Sequence, residues 1–195
     1  MRNPAQWLCS LGAALSMAVV AWSDSAISAP PPPVNGHFEL TTLEGRDVTD
    51  ADYRGKWLLI YFGYTFCPDV CPTTLLDLSR WIKKLGPEAE KLNYVFVSID
   101  PERDTPKLMH TYLSSFDKHI RGFTGTPEQV AKIAKEYRVY YKKIPTNDGS
   151  YTMDHSAIIY LMSSDDKFVT VTPYQEDDSS AFAKLENLVA TTPTS

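Results

Sequence analysis

The sequence predicts a single α/β domain in which a mixed central sheet carries helices on both faces, and three observations predict it. Trp57-Leu58-Leu59-Ile60-Tyr61-Phe62 is continuously apolar, the pattern of a strand buried on both faces. A helical repeat of Leu75, Leu76, Leu78, Ile82 and Leu85 follows it, and then a second apolar run, Asn93 to Ile99. Two strands joined through a helix must pair in parallel. Farther on, Ala157 to Met162 and Phe168 to Val171 flank the polar turn Ser163-Ser164-Asp165-Asp166-Lys167, so these two strands pair antiparallel.

The chain opens with Arg2 and an uncharged apolar run from Trp7 to Trp22, followed by the small residues Ser25-Ala26-Ile27-Ser28-Ala29. This reads as a secretory signal peptide or an N-terminal membrane anchor over residues 1–29. The run is slightly shorter than the roughly 20 residues that span a bilayer, so cleavage and retention both stay open. Residues 30–35 begin with four prolines, which favour extended polyproline II and a stiff spacer. The folded domain is expected over 36–190, with a flexible tail over 191–195.

Within the domain, Phe38 to Leu40 and Asp47-Val48 flank Leu43-Glu44-Gly45-Arg46 and read as an entering hairpin. After the central strand, Pro72 suits a first helical position, and Gly86-Pro87 stops that helix. The second strand ends at Asp100-Pro101, and helices are expected from Pro106 to Ser114 and from Pro127 to Tyr137, the latter capped by Thr126. An amphipathic helix from Ser180 to Val189 closes the domain. Cysteines placed where the first central strand meets its helix make this a thioredoxin-like (peroxiredoxin-like) layout.

At 195 residues the chain has room for one core plus a leader. A formal net charge of −5, with no run of Lys and Arg interleaved with aromatics, argues against nucleic acid as a partner. Of three cysteines, Cys9 lies in the leader, which leaves Cys67 and Cys71 for the folded part. Four residues apart at a helix start, their side chains can converge, and the positive helix end favours thiolate. Thiolates attack disulfides and select soft metals such as Cu(I). A closed zinc site normally needs four protein ligands, more than this pair and scattered histidines supply. A purely structural bridge across so short a loop contributes at most about 2 to 3 kcal/mol, a weak reason for the pair.

His155 follows Tyr151-Thr152-Met153-Asp154 and precedes the apolar strand at Ser156 to Met162. The loop entering that strand packs beside the cysteine loop in this architecture, so His155 is the expected third ligand, extending the site to Cu(II). His37, His110 and His119 read as surface or locally bonded residues. Asp100 ends the neighbouring strand, where its carboxylate would orient His155 or modulate the thiolates, with a loop cap as the equal alternative. Asp104 reads as part of a helix start. Met153 and Met162 read as core.

Four blocks then resemble the Sco/SenC family of copper chaperones. They are residues 61–72 (Tyr61-Phe62-Gly63-Tyr64-Thr65-Phe66-Cys67-Pro68-Asp69-Val70-Cys71-Pro72), residues 97–106 around Asp100-Pro101-Glu102-Arg103-Asp104, Tyr137-Arg138-Val139, and Met153-Asp154-His155-Ser156. The resemblance spans most of residues 36–189. It implies copper on Cys67, Cys71 and His155 with Asp100 nearby, and delivery to the dinuclear copper centre of cytochrome c oxidase subunit II. Other copper chaperones and thiol reductants are the further partners. One departure is Thr172-Pro173-Tyr174-Gln175, which replaces an aromatic-rich ending and puts the docking surface in question. The short leader, without an Arg-rich amphipathic transit segment, points to export into a bacterial periplasm, with the N-terminal segment as an anchor in the inner membrane.

Two further activities compete with a non-enzymatic metallochaperone. A thiol-disulfide oxidoreductase would use a redox disulfide between Cys67 and Cys71, with His155 dispensable. A peroxidase would need an activating Arg near its thiolate, for which Arg103 and Arg54 are loosely placed candidates.

Overall fold

A computed structural model describes Val34 and residues 36–191. The expected leader over 1–29, nearly all of the proline linker and the end of the tail lie outside the described residues. In chain order the elements are β1 (Glu39–Thr42), β2 (Asp47–Thr49), β3 (Trp57–Gly63), α1 (Val70–Leu85), β4 (Leu92–Ser98), α2 (Pro106–Leu113) and β5 (Ile120–Thr124). They continue with α3 (Pro127–Tyr137), β6 (Tyr141–Pro145), β7 (Tyr151–His155), β8 (Ile158–Met162), β9 (Phe168–Pro173) and α4 (Asp178–Thr191).

Seven strands form one sheet in the order β2-β1-β5-β4-β3-β8-β9, and β6 and β7 form a separate hairpin. The sheet is mixed: β4 runs parallel to both β3 and β5, whereas β8 pairs antiparallel with β3, and β9 with β8. This is the thioredoxin-like architecture. The central position of β3 explains its unbroken hydrophobicity, since Leu58 through Gly63 are all buried. Burying one such large side chain contributes about 1.5–3 kcal/mol.

Alternation along β3 assigns the helices to faces. Phe62 packs on Tyr137 of α3, with ring centroids 5.3 Å apart. Tyr61 and Gly63 point the other way: Tyr61 meets its register partner Phe96 at 6.1 Å, and Phe96 meets Tyr112 of α2 at 6.0 Å. The Cys71 sulfur of α1 lies on that same side, over Gly63. α4 joins α1 through Trp81, whose indole N–H donates to Asp178 at 2.7 Å.

Sequence periodicity misses three features. α1 begins at Val70, two residues before Pro72, so Cys71 lies inside its first turn. β5 carries Arg121 and Gly122 in a short strand of weak apolar signal. β6 is largely exposed and β7 is mostly half-buried, so the hairpin lacks the buried alternation that marks a strand. His155 therefore ends a strand where the sequence suggests a loop. α3 matches its expected span, with Thr126 and Gln129 forming a reciprocal capping box.

Gly63 is where the fold sets the site. A Cβ added there would lie 2.9 Å from the Cys71 sulfur and 2.8 Å from the Phe96 ring, closer than packed atoms tolerate. Gly63→Ala is expected to destabilise the domain by about 1–3 kcal/mol through overpacking and to displace the sulfur. Denaturant unfolding of the variant measures this, and unchanged stability would contradict the close approach.

Candidate metal centre

The cysteine loop is held from below by a buried carboxylate. Asp104 accepts hydrogen bonds from the Thr65 N–H at 3.1 Å, the Thr65 hydroxyl at 2.5 Å and the Ser98 hydroxyl at 2.6 Å. Burial raises its pKa against the opposing pull of these donors. The sequence reading of Asp104 as a helix start missed this role. Its only local signal is a second aspartate four residues after Asp100.

Cys67 and Cys71 are free and lie on either side of the helix start. The Cys71 N–H donates to the Cys67 sulfur at 3.3 Å, which is a helix-terminal donor placed on a thiolate. Cys71 is fully buried, whereas Cys67 is half-buried. The Cys67 thiol is drawn down to about 4, first by the Cys71 thiol donating to it and then, against the cost of burial, by His155 and the backbone N–H groups. Cys71 moves in the opposite direction, because it supplies that proton and because it is buried.

His155 reaches the pair from the end of β7. Its Nε2 lies 3.4 Å from the Cys71 sulfur, and its Nδ1 donates to the Ser156 carbonyl at 3.0 Å. A carbonyl can only accept, so Nδ1 carries a proton and Nε2 is the nitrogen turned toward the sulfurs. Ligand atoms of Cys67, Cys71 and His155 all lie within 4.8 Å of one another. Two sulfurs and one imidazole nitrogen fit a soft or borderline ion.

Tyr64 fastens β7 to this loop. Its hydroxyl bonds the Thr152 hydroxyl at 2.7 Å and accepts the Met153 N–H at 3.2 Å, and its ring stands edge-on to His155 at 5.8 Å. Asp100 makes no hydrogen bond to His155 among the described residues. It bonds Arg103 at 2.6 Å and the Tyr151 hydroxyl at 2.7 Å, while the Ser156 carbonyl, not Asp100, orients His155. Arg103 also donates to the Tyr151 carbonyl at 2.8 Å and lies 3.6 Å over that ring, so Asp100 acts on the start of β7 through Arg103 and Tyr151. The hydrogen bonds of Arg103 go to Asp100 and Tyr151 and those of Arg54 to Asp50 and Asp166, so among the described residues neither candidate for a peroxidase arginine bonds a sulfur.

Of the other histidines, His37 bonds Asp50, and His119 bridges Asp117 and Glu90. Met153 and Met162 are core residues.

The SCO1/SenC family model matches residues 27–190. The chain belongs to the SCO1/SenC family. Its residues are 50% identical to the bacterial protein in the structure of Bradyrhizobium japonicum ScoI with copper bound, with a TM-score of 0.74, covering 80% of this chain and 99% of that one. Among curated relatives, the mitochondrial SCO1 homolog 1 of Arabidopsis thaliana is 42% identical over 70% of this chain and 41% of its own length. The human mitochondrial SCO1 homolog is 43% identical over 71% of this chain and 47% of its own length. This SCO1/SenC chain thus spans under half the length of either curated relative. The reading of a bacterial periplasmic location is corrected by these comparisons, because the curated relatives from plant, human, cattle and yeast are named as mitochondrial proteins. Leader length decides compartment poorly, since it records no receptor-read address. Among the described residues no helix is long and apolar enough to cross a membrane.

Two outcomes follow from the geometry. Iodoacetamide is expected to modify Cys67 and spare Cys71, at a rate that stays flat from neutral pH down to about 5 and falls as the thiolate is protonated near 4. Peptide mapping across that range reads both, and faster labelling of Cys71 would contradict the assignment. Asp104→Ala is expected to cost about 2 kcal/mol or more, because it strands buried donors of Thr65 and Ser98, and Asp104→Asn less. Urea unfolding of the two variants checks the order.

Proposed function

We propose that this chain is a copper metallochaperone that takes Cu(I) or Cu(II) on Cys67, Cys71 and His155 and delivers it to the dinuclear copper centre of cytochrome c oxidase subunit II. The observation that carries the reading is the approach of two sulfurs and an imidazole nitrogen of His155 to within 4.8 Å of one another. The solved B. japonicum ScoI with copper bound, half identical in sequence, supports the choice of ion.

The chain's own residues divide the work. Cys67 is already poised as a thiolate, and Cys71 must release its proton as the ion enters, so uptake is linked to proton release and weakens as pH falls. His155 supplies a neutral donor held in place by the Ser156 carbonyl. Cys67 and His155 are partly exposed, whereas Cys71 is fully buried. Incoming partner ligands therefore meet Cys67 and His155 first, and Cys71 releases last. The transfer is ligand exchange, in which copper bonds to this chain break as bonds to the partner's deprotonated ligands form and the partner's own covalent skeleton is unchanged, so the role is non-enzymatic.

A specific observation also favours the second reading, a thiol-disulfide oxidoreductase that reduces cysteines of a partner such as the same oxidase subunit. A half-exposed thiolate beside a buried thiol is the arrangement of an attacking and a resolving cysteine. The two roles are compatible, because a Cys67–Cys71 disulfide would remove both thiolates from copper.

Titration of the full chain with Cu(I) under a competing chelator tests the proposal. Wild type is expected to bind stoichiometrically, and Cys67→Ser or His155→Ala to weaken binding by about a hundredfold or more, beyond the usual effect of losing an outer partner. Tight stoichiometric binding that survives both substitutions would exclude this site. Disulfide reduction that withstands His155→Ala but not Cys67→Ser would isolate the second activity.

A further inference from the structure

The hairpin that carries His155 stands outside the main sheet, so each of its two strands has an outer edge. Hydrogen bonds extend its ladder at both ends, from the Ser156 N–H to the Tyr140 carbonyl at 2.9 Å and from the Thr146 N–H to the Ser150 carbonyl at 3.0 Å. Bonded pairs alternate along an antiparallel ladder. Lys142 and Ile144 therefore bond across to Asp154 and Thr152, and Tyr141, Lys143 and Pro145 turn their backbone groups outward. On β7 the outward groups are in use, since the Met153 N–H goes to Tyr64 and the Tyr151 carbonyl to Arg103. On β6 the N–H and C=O groups of Tyr141 and Lys143 have no hydrogen-bond partner among the described residues. The edges of the main sheet are better protected: β2 is three residues long, and Lys184 of α4 donates to the Val171 carbonyl of β9 at 2.7 Å. An open edge is a template for another strand.

Beside β6 lies a cleft of about 360 Å³, with Ile99, Pro101, Val130 and Met153 in its lining. Met153 also lines the opening at Cys67 and His155, so one residue borders both the cleft and the metal centre. Side chains of a strand added to β6 alternate between the two faces of the hairpin. On the face of Tyr141, Lys143 and Met153 they enter the cleft and meet apolar surface. On the other face they meet Lys142 and Ile144, both exposed. Lys143 is paired with Glu102 at 2.5 Å, whereas Lys142 makes no ion pair among the described residues and its register partner Asp154 lies beyond ion-pair range. This charge pattern selects the occupant. A second copy paired antiparallel about Lys143 would set lysine opposite lysine, which is destabilising, whereas a carboxylate at Lys142 is favourable.

We propose that β6 and its cleft form a strand-addition groove for an extended acidic segment of a partner protein, with alternate apolar side chains in the cleft and a carboxylate at Lys142. Main-chain bonds to Tyr141 and Lys143 supply affinity, and the cleft and Lys142 supply selectivity. A partner held there lies one strand away from His155, beside the metal centre. That consequence for copper transfer rests on the metallochaperone reading, whereas the docking itself does not.

The probe is the blocked peptide acetyl-Glu-Val-Glu-Val-Glu-amide, titrated at millimolar concentration into the full metal-free chain and followed by amide NMR. The Tyr141 and Lys143 amides are expected to shift downfield and exchange more slowly, while those of Lys142 and Ile144, already bonded within the hairpin, stay put. The Lys-Val counterpart is expected to bind at least about threefold more weakly, as one exposed ion pair allows, and Lys142→Glu to reverse that order. Lys143→Pro removes an outward N–H that the hairpin does not use and should weaken binding by about fivefold, the worth of one hydrogen bond. Lys143→Ala keeps that N–H and should bind as wild type does. Unmoved Tyr141 and Lys143 amides at saturating peptide would overturn the proposal, as would equal binding to Lys143→Pro and wild type. Should Lys143→Pro disturb the hairpin, the wild-type amides and Lys142→Glu still decide. Slow exchange of both amides before peptide is added would mean that the edge is already taken, by a second copy if dilution releases it and by this chain's own ends if not, and either result overturns the acidic partner. Because no metal is present, failure here leaves the three-ligand site untouched, and failure of that site appears only in the copper titration.

Discussion

The site depends on the close approach of the Cys71 sulfur to the backbone of β3. That sulfur occupies the volume of a side chain that Gly63 lacks, 2.9 Å from where its Cβ would stand. Any other residue there would push α1 away from the sheet or turn the sulfur aside. Because α1 is rigid and its first turn contains Cys71, one contact sets the depth of the whole cysteine loop. Asp104 sets the other end, gripping Thr65 through both backbone and hydroxyl. The loop between these anchors has little freedom, which lowers the entropy that ordering a ligand set would otherwise require.

Such constraint divides two chemically identical residues. Burial opposes charge on Cys71, whereas Cys67, half-exposed and receiving the Cys71 backbone N–H at 3.3 Å, keeps charge readily. A single shared proton satisfies both sulfurs in the absence of metal. Replacing that proton with a soft cation restores charge balance without exposing the buried sulfur to water, and this is how a small pocket can hold two thiolates that would repel each other alone.

His155 depends on different physics. It is borne on a hairpin outside the main sheet, and hairpins of two strands are marginal by themselves. Its position comes from side chains that reach across: Tyr64 onto Thr152 and Met153, and Arg103 with Asp100 onto Tyr151. These contacts join three loops that are separated by roughly 30 to 50 residues of chain. Spacing between them carries no periodic signal, which is why Tyr64, Arg103 and Asp104 escape a reading by pattern.

The amino-acid sequence alone determines the parts that obey local rules. The apolar run of β3, the helical repeat of α1, the Thr126 cap of α3 and the antiparallel β8–β9 pair all follow from period and capping chemistry, and the Cys67–Cys71 spacing at a helix start marks the reactive loop. Tertiary structure alone decides that Asp100 serves Arg103 and Tyr151, that the Ser156 carbonyl sets the His155 tautomer, and that Gly63 makes room for sulfur. The reason is that periodicity reports which face of an element is buried, whereas hydrogen bonds and close approaches depend on the distance between elements. That distance is set only when the sheet assembles.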